Sequence, residues 1–162
     1  MAREASGTVN RVGRQAITFL LALGSACTPF LPSDKAGLMA AMGSNDMAVN
    51  FSAARKFERL FGVPGLLEAM EYPSANTRAV AAHFLKDHPG PQVEAALIKR
   101  ADDTDEYVRM WCAFSLGKVG TGNARPVLEH LAQDKSQVVS RQAAEALDEL
   151  QDRLGGRRGG AG

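Results

Sequence analysis

Aromatic residues make up only 6% of this 162-residue chain, with a single tryptophan, two cysteines and three histidines. So few aromatics, beside abundant alanine, leucine and glycine, disfavour β-sheet and favour helices with short breaks. Two cysteines, Cys27 and Cys112, cannot build a disulfide framework. An excess of one charge is also missing: 19 basic against 18 acidic residues leave +1, which provides no broad field for nucleic acid or an anionic membrane. The longest apolar run, from Gln15 to Ala26, falls short of the roughly 20 residues a spanning helix needs. The H-E-x-x-H spacing that puts two imidazoles on one helix face is absent, since His83 and His88 are five apart and His130 stands alone. So is a G-x-x-x-x-G-K-[ST] phosphate loop. No catalytic set, metal site or cofactor is therefore expected. What remains is 45% hydrophobic and 23% charged, a one-domain length of ordinary globular composition.

Self-similarity is the strongest signal present. Leu38, Leu66, Leu97 and Leu128 follow one another at 28, 31 and 31 residues, and eleven residues after each comes Val49, Thr77, Val108 or Val139. Counting that β-branched residue as offset zero, offset five reads Ala54, Ala82, Ala113 and Ala144, and offset eight reads Phe57, Leu85, Leu116 and Leu147. These spacings describe one buried stripe on a repeated helix. Gly62, Gly90 and Gly120 fall where left-handed helix caps are expected. Side chains at 44–46, at Ser74, at 103–105 and at 134–136 supply N-cap oxygens. Pro64 and Pro126 lie in first turns, where a missing N–H costs little.

The pattern predicts four helix pairs: 34–43 with 46–61, 64–71 with 75–88, 91–101 with 105–119, and 123–132 with 136–153. No pair can bury its own apolar face, so stacking is obligatory and yields an all-α solenoid.

Asp103, Val108-Arg109, Cys112-Ala113 and Leu116-Gly117, their copy at Asp134, Val139, Ala143-Ala144 and Leu147, and the two prolines resemble HEAT repeats. The short period is similar to the HEAT-like repeats first recognised in phycobilisome lyases. The resemblance covers about 34–153 and implies a right-handed, armadillo/HEAT-like superhelix. It also implies a polar ladder between neighbouring repeats, made by the Asp and by the Arg after the Val. The Asp position reads Ser44, Tyr72, Asp103 and Asp134, and the Arg position reads Asn50, Arg78, Arg109 and Ser140. Both persist only in the third repeat, so the ladder is expected to be incomplete. HEAT-repeat metalloenzymes that hydroxylate a modified lysine carry His-Glu pairs, and this sequence has no His-Glu dipeptide.

Residues 1–33 admit two readings. Val12, Ala16, Ile17, Leu20 and Leu23 reproduce the stripe offsets and suit an additional N-terminal capping helix. Alternatively, Arg3, Arg11 and Arg14, the apolar run and Gly24-Ser25-Ala26 before Cys27 resemble a bacterial lipoprotein signal. The first makes the protein cytoplasmic; the second makes it exported, or membrane-anchored through a lipidated Cys27. Residues 154–162 read as a flexible Gly/Arg tail. Cys112 replaces an alanine of the stripe and is expected in the core.

Offsets 2, 3, 6 and 10 of each second helix point away from the stripe and should line the inner surface of the solenoid. They place Phe51, Arg55, Arg59, Val80, His83, Met110, Trp111, Phe114 and Lys118 there as candidate partner-binding residues. Apolar groups in the middle, basic ones toward one end and Glu145 and Glu149 toward the other suit a protein or peptide partner. The expectation is a non-enzymatic interaction scaffold of bacterial style that binds no nucleic acid. The alternatives implied by resemblance are an accessory subunit of a bilin lyase and a HEAT-like DNA-binding protein.

Overall fold

The computed structural model describes residues 31–155, and every regular element among them is helical. The helices are α1 (Lys35–Met42), α2 (Met47–Ala69), α3 (Ala75–Phe84), α4 (Pro91–Arg100), α5 (Glu106–Val119), α6 (Arg125–Leu131) and α7 (Gln137–Leu154). Short 3-10 turns at Leu85–Asp87 and Gly122–Ala124 follow α3 and precede α6. They form four stacked pairs: α1 with residues 47–61 of α2, residues 63–69 of α2 with α3, α4 with α5, and α6 with α7. The result is an α-solenoid. The expected capping helix or export signal, Cys27 and the tail beyond residue 155 lie outside the described residues.

Three of the four second helices start where an acidic or hydroxyl side chain receives free amides, at Asp46, Ser74 and Asp105, whereas Ser136 at the start of α7 accepts none. Asp46 Oδ1 accepts from Ala48 and Val49 at 2.8 and 3.2 Å, and Asp105 Oδ1 accepts from Tyr107 and Val108 at 3.0 and 3.1 Å. Of the three glycines expected as left-handed caps, only Gly62 has positive φ. Its angles of 59° and −159° lie where only glycine is comfortable. That single residue breaks α2 and starts the second repeat with no intervening loop, while Pro64 opens the new turn without a lost hydrogen bond. Gly90 and Gly120 have extended backbones instead: Gly90 is the N-cap that opens α4, and Gly120 closes α5 where the chain runs straight into a loop.

The second helices stand in one row, α2 against α3, α3 against α5 and α5 against α7, whereas α4 and α6 pack chiefly on their own partners. A solenoid tighter along one row than the other curves with the tight row inside. Small residues permit that tightness. A Cβ on Gly117 would lie 2.9 Å from Ala146 Cα, so α5 and α7 approach at glycine distance. Val108, Cys112, Ala113 and Leu116 are fully buried, and burial pushes the Cys112 thiol far above its ordinary range. Ala144, at the offset that faces the following repeat, is exposed because no described helix follows α7.

The polar ladder is more orderly than expected. Arg78 Nε and Nη2 donate to the two Asp103 oxygens, both at 2.8 Å, and Arg109 repeats the fork on Asp134 at 2.7 and 2.9 Å. The third guanidinium nitrogen, Nη1, donates to loop carbonyls of its own repeat, Tyr72 and Pro73 for Arg78, Asp103 and Thr104 for Arg109. Each rung thus joins the Arg of one repeat to the Asp of the next. Asn50 and Tyr72 are one missing rung rather than two defects, and Ser140 has no described repeat to reach. Between repeats one and two, Asn76 substitutes by donating Nδ2 to Gly43 O and Asn45 Oδ1 at 3.2 and 2.9 Å.

Burial would raise the Asp103 carboxyl, but hydrogen bonds from Arg78 and the Asp105 amide, with the charges of Arg78 and Arg100, hold it below the usual carboxylate range. The Arg109 hydrogen bond does the same for Asp134 against a smaller burial penalty.

Leu116→Ala should cost about 2–5 kcal/mol by opening a cavity between stacked helices. Lys118→Ala, which removes an exposed ion pair, should cost about 1 kcal/mol or less. Urea midpoints distinguish them, and equal midpoints would refute the buried register.

Asp103→Ala should destabilise by about 3–5 kcal/mol, since it strands a largely buried guanidinium. Because both folded carboxyls titrate below the unfolded Asp value of about 3.9, the ladder's contribution is complete above that pH and is lost as pH falls through the folded values. Denaturation midpoints measured from pH 6 down to pH 3 should show the wild type losing its advantage over Asp103→Ala.

Candidate functional site

The inner row of second helices carries a cluster of rings from three consecutive repeats. Phe51 of α2 lies 5.1 Å from His83 of α3, and His83 lies 4.4 Å from Trp111 and 5.7 Å from Phe114 of α5, all measured between ring centroids. The His83 and Phe114 planes are 15° apart and stacked, whereas Trp111 meets both rings edge-on. These residues meet because offsets 2, 3 and 6 of neighbouring second helices face one side, and the small side chains beneath bring the helices close.

Of the nine candidates, Phe51, His83, Met110, Trp111 and Phe114 are half-buried on this face. Phe51, Met110 and Trp111 also pack against the core with part of their surface. Val80 is corrected: only 4% exposed, it is a core residue, because α3 is clasped between α2 and α5 and its offset 3 is covered. Phe84, which offset counting passed over, supports the platform from beneath at 5.7 Å from His83 and 5.9 Å from Phe51. Its offset seven is held by Lys56, Ser115 and Ala146 elsewhere, so periodicity carried no aromatic signal there.

Charge surrounds the rings. Lys118 lies 5.5 Å over the Phe114 ring and bonds Glu149 at 2.6 Å. Arg55 and Arg59, one and two turns beyond Phe51, are exposed and form no ion pair among the described residues. His83 Nδ1 is enclosed without a hydrogen-bond partner among those residues. Burial, reinforced by Lys86 and opposed by Asp87, pushes the imidazole down to about 4, so it is neutral at neutral pH. The platform is therefore apolar in effect.

Elsewhere, shallow clefts open at loops. One of about 500 Å³ lies beside His88 and Pro89, and another of about 670 Å³ lies between the third and fourth repeats beside Asp102 and His130. No group of three or more His, Cys, Asp or Glu residues placed to hold a metal occurs among the described residues.

Paired helices stacked through their second members, with a rung at every full repeat junction after the first, define an α-solenoid of the helical-repeat class. The family described as HEAT repeats matches residues 63–148, and the chain belongs to that family. No curated protein matches it. Among solved structures it is similar to human deoxyhypusine hydroxylase in complex with glycerol, at 20% identity and a TM-score of 0.57, over 76% of this chain and 45% of that one. The chain thus spans less than half the length of that protein, and the likeness is one of fold. It nevertheless corrects the expectation of a non-enzymatic chain, because helix pairs in this arrangement also serve as the scaffold of an enzyme. None of the described helices is long and apolar enough to cross a membrane.

His83 should titrate near pH 4 by NMR of its ring protons, against about 6.5 for a solvated imidazole. Between those values the unfolded chain binds a proton that the folded chain refuses, so stability should fall as pH drops from about 6.5 toward 4. His83→Gln should abolish that segment of the profile, whereas a titration midpoint near 6.5 would place the ring outside the cluster.

Proposed function

We propose that this HEAT-repeat protein is an interaction scaffold or adaptor that holds another protein or peptide against the inner surface of its solenoid, in the cytoplasm of a bacterium. The observation that carries this reading is the half-buried ring platform of Phe51, His83, Trp111 and Phe114, assembled from three repeats. Clustered aromatic groups with one face covered and one exposed have the form of interface anchors, which lose little entropy when a partner covers them. Within the family, the Asp103, Val108-Arg109 and Ala113 spacing supports the short-period type first recognised in phycobilisome lyases. Charges on α5 and α7 of the same face offset one another, Lys118 with Glu149 at 2.6 Å, and provide no basic field for DNA phosphates.

The test is site-specific photo-crosslinking in the native host. A benzophenone side chain at position 114 should trap a discrete partner, whereas one at Lys99, exposed on α4, should not. Phe114→Ser should lower capture at least tenfold, about 1.4 kcal/mol, while the helical circular dichroism stays at the wild-type level. Equal trapping from both positions would move the binding surface off the inner face.

A further inference from the structure

We propose that the occupant of the inner face is an acidic peptide segment, seated by an aromatic or aliphatic anchor on the ring platform with its carboxylates over Arg55 and Arg59. This rests on the inner-face reading above and adds the partner's chemistry and direction.

The sequence places basic residues toward one end of this face and acidic residues toward the other, which would suit a partner of mixed charge. The structure removes that symmetry. Lys118 and Glu149 neutralise each other at 2.6 Å, and Asp87 is bonded by Lys86. On α7, Arg141 and Glu145 stand one turn apart with opposite charges. The α3, α5 and α7 segments of the face are therefore close to neutral.

On α2, Glu58 lies at offset nine, off the inner face, and is bonded to His88 at 2.6 Å rather than to either arginine. Arg55 and Arg59 are exposed, form no ion pair among the described residues, and give this end of the face its positive charge. They begin one turn beyond Phe51, whose ring touches His83. A guanidinium accepts a carboxylate in a two-pronged fork, and two guanidiniums one turn apart suit successive acidic side chains. An anchor residue on the rings and carboxylates one or two turns away fit within one short segment. A lone Arg pair beside an otherwise neutral face offers too few phosphate contacts for a polynucleotide.

The test is selection from a random 12-residue display library on the full chain, run in parallel on wild type and R55E/R59E. Both arginines are exposed, and circular dichroism verifies that the variant is folded. Wild type should enrich peptides with at least two Asp or Glu beside an aromatic or large aliphatic residue, whereas R55E/R59E should enrich Lys or Arg in their place. A synthetic winner should shift the emission of Trp111, the single tryptophan. Its affinity should fall at least tenfold in R55E/R59E and decline with added salt.

Winners without acidic enrichment, or equal affinity for R55E/R59E, overturn the acidic partner alone, provided they still shift Trp111 and are weakened by Phe114→Ser. Winners that leave Trp111 unchanged and ignore Phe114→Ser overturn the inner-face reading as well, as does a selection that enriches nothing. A fluorescein-labelled dT12 that binds as tightly as the best peptide would reassign the rings and arginines to single-stranded nucleic acid.

Discussion

The fork from Arg78 to Asp103, repeated from Arg109 to Asp134, is the interaction on which the alignment of this solenoid depends. Hydrophobic stacking brings helices together but is indifferent to sliding by a fraction of a turn. A planar guanidinium that must meet two carboxylate oxygens and two loop carbonyls at once is not indifferent. It sets the height of each second helix relative to the next and organises the intervening loops. The same Asp oxygens accept the amides of Asp105 and Ser136, so every carboxylate belongs to both the junction and the turn. The cost of burying the ions is offset by the number of hydrogen bonds each one makes.

The ring platform depends on that alignment. His83 can contact Phe51, Trp111 and Phe114 together only if α2, α3 and α5 stand side by side at matched heights. Gly117 against Ala146 and the fully buried Ala54, Ala82 and Ala113 show how the height-matched helices also come close. Small residues on the stripe and large ones on the opposite face follow from the same geometry: space withheld between helices becomes surface on the inner side.

The helix pairs were legible because offsets of zero, five and eight recur without slippage, and interior burial follows them closely at Val108, Ala113 and Leu116. The ladder was legible as residue types but not as pairing. Reading Asp and Arg within one repeat makes Asn50 and Tyr72 look like separate losses, whereas the bond crosses to the next repeat. The extended backbone at Gly90, the N-cap of α4, and at Gly120, which closes α5, was not legible, since a glycine between helices suits an extended backbone as readily as a left-handed cap. Nor was the burial of Val80, which depends on how closely two neighbours clasp α3. A helical wheel describes one helix, and such coverage belongs to three.

Because a rung runs forward from the Arg of one repeat to the Asp of the next, the repeats are not interchangeable. The second offers only the Arg and the fourth only the Asp, while the third, spanning about 90–120, holds Asp103 and Arg109 together. A tandem copy of the third would present its own Asp to the original's Arg and its own Arg to Asp134. Among the described repeats it is the one segment whose duplication lengthens the solenoid with every fork still closed, which makes array length a property that gene duplication at this segment can change.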